Sequence, residues 1–321
     1  MKRQAFALLS CLAVLASGGA WAEPVQNWPS RPIRAILPFA PGTGADVVSR
    51  MVFHQLSIQL GQQIVVENRG GAGGTIGSAA VAKADPDGYT ILGQSSSHAI
   101  APALYPNMTY DVARDFAAVA SYGMMPTALV IAPSKGITTI QQFVVAAKAK
   151  PMTFASAGVG STTHLTAERF RLSAGFEAIH VPFKGGGFRP EVASGRVDFA
   201  FSPIAVAVPD IRDGRLLALA VSGRERVSAL PDVPTTIEAG YPNSDYMLWF
   251  GMLVPAQTPR SIVDRLHAET IKALETPALR DKLAGFDVVP MPLKPTEFDA
   301  FIKEEIATQG ALAKAAGLKP N

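Results

Sequence analysis

Short β-branched runs alternate along this chain with stretches of helical periodicity, the pattern of a sheet covered by helices on both faces. Ile33–Leu37 reads as a strand and ends on Pro38-Phe39-Ala40-Pro41-Gly42-Thr43-Gly44. Ala45 to Leu60 then reads as a helix, with Val47, Val48, Met51, Val52 and Leu56 on one face. Ile64–Glu67 is the next predicted strand, followed by a glycine-rich turn and a helix around Gly77–Ala84. Tyr89–Gly93 is another, opening into Gln94-Ser95-Ser96-Ser97-His98. These β-loop-α units build one doubly wound domain.

A second series starts at the strand Ala128–Ile131, ended by Pro133, and continues with an amphipathic helix over 138–149. Thr153–Ala155 is a short strand, and Gly158-Val159-Gly160-Ser161-Thr162 leads into a helix over 163–173. Ile179–Phe183, Asp198–Phe201 and Leu216–Val221 read as further strands. Met247–Leu253 is a strong apolar run, and helices over 259–275 and 297–315 close the chain. Two α/β units and a terminal helical section suit a discontinuous two-lobed protein. One lobe is expected from residues 23–123 and 247–321, the other from 124–246.

The first residues change the charge. Lys2 and Arg3 precede an apolar run from Ala5 to about Ala16, and Ala20-Trp21-Ala22 has the small-x-small form of a signal-peptidase site. The run falls short of the ~20 apolar residues of a spanning helix. Residues 1–22 therefore read as a secretory signal rather than a membrane anchor, with Glu23 as the mature start. Cys11 raises a lipoprotein alternative, but the apolar run before it is too short. Two bases and no acid leave with this segment, so the formal charge of +3 falls to +1. That balance, without Lys/Arg runs, gives no basis for nucleic-acid binding. Cys11 is the one cysteine of the sequence, so a mature chain would hold no disulfide, zinc thiolate or catalytic cysteine. With 48% hydrophobic and 17% charged residues, the expectation is a soluble periplasmic globule without metal or cofactor.

Ligands in doubly wound sheets gather at the carboxyl ends of strands, where helix N-termini offer unpaired N–H groups and partial positive charge. The loops Pro41–Ala45, Ser95–Ser97 and Gly158–Thr162 have the composition for this. Each also suits a plain turn or cap. Gly71-Ala72-Gly73-Gly74-Thr75-Ile76-Gly77 departs from dinucleotide-binding spacing and reads as a structural turn. No G-x-S-x-G elbow occurs. The five histidines form no metal-ligand motif. His164, just inside a helix start, is a candidate ligand contact, while His180 is expected to pack in its strand. Asp198 would answer a ligand ammonium or hydroxyl, or serve a structural hydrogen bond.

These residues resemble the substrate-binding receptors of tripartite tricarboxylate transporters, the Bug family. Trp28-Pro29-Ser30-Arg31-Pro32-Ile33, Pro38–Gly42 with Asp46, and Val66-Glu67-Asn68-Arg69 before Gly71–Gly74 carry the likeness. So do Pro86–Thr90, Val181–Gly185, Leu230–Thr235, Trp249-Phe250-Gly251 and Pro255–Pro259. The resemblance implies a type II periplasmic binding protein fold, with two doubly wound lobes around a ligand cleft. It also implies a receptor that hands a small carboxylate to membrane permease subunits; with no catalytic constellation in the sequence, the expectation is a monomer that is not an enzyme. Carried over, the ligand contacts fall on Phe39, Thr43, Gly44 and Ala45, on Ser95, Ser96 and Ser97, and on Gly158, Ser161 and Thr162. Phe183 stands where many members have tyrosine. With the cleft closed, Phe39, Phe183 and Phe201 would form an apolar slot for an aromatic carboxylate, such as a dicarboxylate of the terephthalate kind. Its second group would then meet the Ser161-Thr162 helix end. Aliphatic di- or tricarboxylates and acidic amino acids are the alternative ligands. A serine hydrolase using Ser161 or Ser95 with His164 or His98 is the rival class, and a sensor subunit would share the fold.

Overall fold

The computed structural model describes residues 27–320; the expected signal segment and its cleavage site lie outside them. Strand β1 (Ile33–Leu37) leads through a tight loop into helix α1 (Gly44–Leu60). Thr43 caps that helix by accepting the Asp46 amide, and Gly61, in the left-handed region at φ 64°, ends it. Val48, Val52 and Leu56 turn its apolar stripe inward. Then come β2 (Ile64–Asn68), α2 (Thr75–Ala82), β3 (Thr90–Ser95) and α3 (Ser97–Leu104). The long β4 (Phe116–Ile131) follows.

The next section runs α4 (Ile140–Ala149), β5 (Met152–Ser156), α5 (Thr162–Ala174), β6 (Ala178–Pro182) and α6 (Phe188–Ala193). It continues with β7 (Phe199–Pro203), α7 (Ile204–Arg212) and β8 (Leu217–Val221). The chain returns through β9 (Met247–Pro255) and finishes with α8 (Arg260–Glu275), α9 (Pro277–Ala284) and α10 (Pro295–Ala315). Among the described residues, no helix is long and apolar enough to cross a membrane.

The strands form one mixed sheet in the order β2-β1-β3-β9-β4-β7-β5-β6, with β8 also on β4. Strand β4 holds it together. From Phe116 to Pro126 it pairs antiparallel with β9, and from Thr127 onward with β7 and β8. The parallel sets β1-β2-β3 and β5-β6-β7 thus lie in different lobes, joined by this shared strand. Only Ala128–Ile131 of β4 is recognisable from sequence. The preceding Ala-Ser-Tyr-Gly-Met-Met-Pro stretch is mostly buried and lacks the period-2 alternation that marks a half-buried strand.

Phe201 belongs to the core, not to a slot. Phe199 and Phe201 sit two residues apart and share one face of β7, which α4 and α5 cover. Phe199 meets Phe143 edge-on at 5.0 Å, and Phe201 meets Phe170 at 5.5 Å.

Candidate functional site

All six parallel strands end at one cleft between the lobes, a cavity of about 770 Å³. That size is typical of small-ligand sites. Helix N-termini reach it, among them α1 through Gly44 and Ala45, α3 through Ser97, and α5 through Thr162 and Thr163. First-turn amides have no acceptor within their own helix, and the aligned peptide dipoles make these ends positive. The lining includes the cations Lys184 and Arg189 and no carboxylate among the described residues. The cleft is therefore built for an anion.

Phe39, Thr43, Gly44 and Ala45 line it from one lobe, with Ser95 and Ser97 beside them. Gly158, Ser161, Thr162 and Phe183 line it from the other. Asp46 fixes the first of these loops. Its carboxylate accepts from the Gly42 amide at 2.9 Å, from Arg50 Nε at 2.9 Å and from Asn68 Nδ2 at 2.8 Å. Asn68 also donates to the Phe39 carbonyl at 3.0 Å. The Thr43 hydroxyl donates to the Ala40 carbonyl at 3.1 Å while capping α1, so its one proton is already used. Thr43 thus serves the cleft through its loop and not as a hydroxyl donor.

The serines divide in the same way. Ser95 and Ser97 Oγ lie 3.4 Å apart at the cleft wall. Ser96 is fully buried away from it and accepts the Trp249 amide at 2.9 Å, tying the start of α3 to β9. Ser161 caps α5 by accepting the His164 amide, and its Oγ sits 3.0 Å from that of Thr163.

His164 and Asp198 lie outside the lining. The His164 ring is buried behind the Gly158–Ser161 turn, where Nδ1 accepts the Gly160 amide at 3.2 Å. It stacks on His180 with centroids 3.8 Å apart, and His180 Nε2 lies 2.6 Å from Ser156 Oγ. Burial, then the neighbouring His180 and Arg171 charges, pushes His164 down to about 3, and burial lowers His180 to about 4. Both rings are neutral braces under the turn. Asp198 precedes β7 and so stands at the end of the strand opposite the cleft. Lys135 Nζ donates to it at 2.6 Å and the Thr153 amide and hydroxyl at 2.8 Å. Burial raises its carboxyl, but these donors outweigh that and hold it below its ordinary value.

Tyr105 and Arg189 line the cleft without any sequence signal for it, and Asn68 and Leu248 belong to segments legible for other reasons; they meet only in the fold. The glycine turn lines the cleft as well. At Gly73, with φ 63°, a Cβ would sit 2.6 Å from the Tyr105 ring. The lobes touch at the rim, where a Cβ on Gly185 (φ 58°) would stand 2.5 Å from Ala40 Cβ.

Two α/β lobes sharing β4, with helix N-termini turned into the cleft between them, define a type II periplasmic binding protein fold. The chain belongs to the tripartite tricarboxylate transporter receptor family, whose model, "Tripartite tricarboxylate transporter family receptor", matches residues 48–318. It is 34% identical to Protein BugT of Bordetella pertussis (strain Tohama I) over 321 residues, covering 97% of this chain and 98% of the relative. The solved periplasmic binding protein BugD matches with a TM-score of 0.86 and 29% identity, over 92% of this chain and 100% of that one. R. palustris Rpa4515, solved with adipate, matches with a TM-score of 0.87 and 31% identity, also over 92% and 100%. Members of the family are periplasmic receptors for small carboxylates that work with transporter membrane subunits.

Proposed function

We propose that this chain, exported by residues 1–22, captures a small carboxylate in the interlobe cleft and delivers it to the permease of a tripartite tricarboxylate-type transporter. The observation that carries this reading is the convergence of α1, α3 and α5 N-termini on a cavity whose lining, among the described residues, includes Lys184 and Arg189 and no acid. The lobes divide near residues 123 and 247, and hinge motion of β4 and β9 between them closes the cleft as a monomer. A hydrolase is disfavoured by geometry. His164 Nδ1 accepts the Gly160 amide and His98 Nδ1 meets Gln94, and among the described residues neither ring is hydrogen-bonded to the Ser161 or Ser95 hydroxyl.

The favoured ligand has an aromatic body. Phe39 and Phe183 line the cleft from opposite lobes, with Phe188 beside them, so the apolar slot persists without Phe201. Ring contacts of this kind add ~0.5–1.5 kcal/mol beyond area burial. A second reading, an aliphatic dicarboxylate, is favoured by the adipate bound to Rpa4515.

Thermal shift and calorimetry with terephthalate, benzoate, adipate, succinate, citrate, aspartate and glutamate test both. A ligand at ~100 times its Kd should stabilise the protein by about 2.7 kcal/mol. No shift with any acid overturns the carboxylate receptor. Tighter binding of an aliphatic acid than of terephthalate overturns the aromatic body and leaves the receptor standing.

A further inference from the structure

Arg189 lies on α6 at the wall of the cleft. Its guanidinium is held along one side only. Nη1 donates to the Val206 carbonyl at 2.6 Å and to Asp210 at 2.8 Å. Asp210 is itself shared, since its other oxygen pairs with Arg215 at 2.8 Å, and Arg215 also meets the exposed Asp213. The opposite edge, Nε and Nη2, has no acceptor among the described residues, although Nε is buried. A buried guanidinium N–H without a partner is costly and rare in a folded protein.

That edge faces Gly186. A Cβ built there would stand 4.0 Å from both Nε and Nη2, with no other described atom beyond its chain neighbours as near. Gly186 also lines the cleft, so the missing side chain leaves room in front of the two donors. Two parallel N–H groups in one plane match a carboxylate, which accepts both in a fork. The anchoring of Nη1 by Val206 and Asp210 fixes the direction in which the fork points.

We propose that Arg189 is a specificity-determining residue, taking the second acidic group of the ligand on its Nε/Nη2 edge and selecting dicarboxylates over monocarboxylates. This rests on the receptor reading above, with the first carboxylate at the helix N-termini. Phe39 and Phe183 then flank the body between the two charged ends. The second group is thereby assigned to Arg189 instead of the Ser161-Thr162 helix end.

The test is calorimetry on paired acids of similar body: terephthalate against benzoate, and adipate against hexanoate. The wild type should bind the diacid at least tenfold more tightly than its monoacid in whichever pair it accepts. In Arg189→Gln that ratio should fall to near one. Gly186→Val keeps the Arg189–Asp210 pair but fills the space before the fork, and should collapse the ratio too, so the result does not depend on how Arg189→Gln folds. A wild type that binds monoacid and diacid alike, or variants that keep its preference, overturns the role of Arg189 alone. A wild type that binds none of the four acids overturns this inference, and the receptor reading falls with it only if succinate, citrate, aspartate and glutamate fail as well.

Discussion

The Tyr105 hydroxyl donates to the Val159 carbonyl at 3.1 Å, a bond from the end of α3 to the turn before α5 that crosses the cleft between the lobes. Beside it, Gly73 leaves the space the phenol ring occupies. Gly185 and Ala40 make a further close approach across the rim. In the hinge closure proposed above, this hydrogen bond joins the lobes without touching the ligand.

Tyr105→Phe should speed ligand release. A neutral hydrogen bond contributes ~0.5–1.5 kcal/mol net, which corresponds to about a two- to tenfold faster koff. The association rate should change little, because the bond forms only once the lobes meet. Stopped-flow kinetics on both proteins checks this, and an unchanged koff would mean that the contact is not part of closure.

Asp46 should govern both stability and affinity. It is buried in the first turn of α1, where a negative charge suits the helix dipole, and it collects Gly42, Arg50 and Asn68. Asp46→Ala leaves these donors without their acceptor and should cost ~1.5–3 kcal/mol of stability, the range for hydrogen bonds to a charged group. Ligand affinity should fall with it, since the Gly42–Ala45 backbone loses its anchor. Urea denaturation and calorimetry measure the two effects, and full affinity in the variant would remove Asp46 from loop positioning.

The β1-loop-α1 unit was legible because proline, glycine and an N-cap threonine punctuate it, and each has a local physical meaning. The same local logic located Ser95–Ser97 and Gly158–Thr162. It failed where orientation depends on distant packing. Period-2 alternation places Phe199 and Phe201 on one face, but only the neighbouring helices decide that this face is core. Asp198 reads as a polar strand residue in sequence; that it stands at the wrong end of β7 follows from strand direction in the folded sheet. Arg189 stands alone in its segment, and its relation to Gly186, Val206 and Asp210 exists only in three dimensions.

Acid should destabilise this protein through its buried histidines. His164 is held near 3 by burial and by the charges of His180 and Arg171; burial alone holds His180 near 4, and lowers His98 to about 3 although the Val112 backbone opposes it. In the unfolded chain each titrates near 6.5. Between about pH 6.5 and 4 the unfolded state therefore binds protons that the folded state refuses, so stability present above 6.5 is lost as pH falls. Each ring contributes a slope of ~1.4 kcal/mol per pH unit inside its window. Glu168 lies 3.9 Å from His164 Nε2, and burial raises its carboxyl. His164→Asn should reduce the slope by about one proton in denaturation curves at pH 6.0, 5.0 and 4.5. An unchanged slope would place the acid sensitivity elsewhere.

Adjacent serines should separate binding from stability. Ser97 lines the cleft, and among the described residues Ser95 Oγ at 3.4 Å is the one side-chain partner of its hydroxyl, a long contact that leaves its proton available to an anion. Ser96 Oγ is fully buried and accepts the Trp249 amide, so it belongs to the joint between α3 and β9. Ser97→Ala should weaken carboxylate binding by ~1.5–3 kcal/mol, the range for a hydrogen bond to a charged group, and barely move the melting temperature. Ser96→Ala should do the opposite. It strands a buried amide, at a cost of ~1–3 kcal/mol in stability, while the folded fraction binds like wild type. The two are told apart by running calorimetry and thermal denaturation on each variant with the same acid. If Ser97→Ala binds like wild type, the Ser97 hydroxyl has no part in holding the anion.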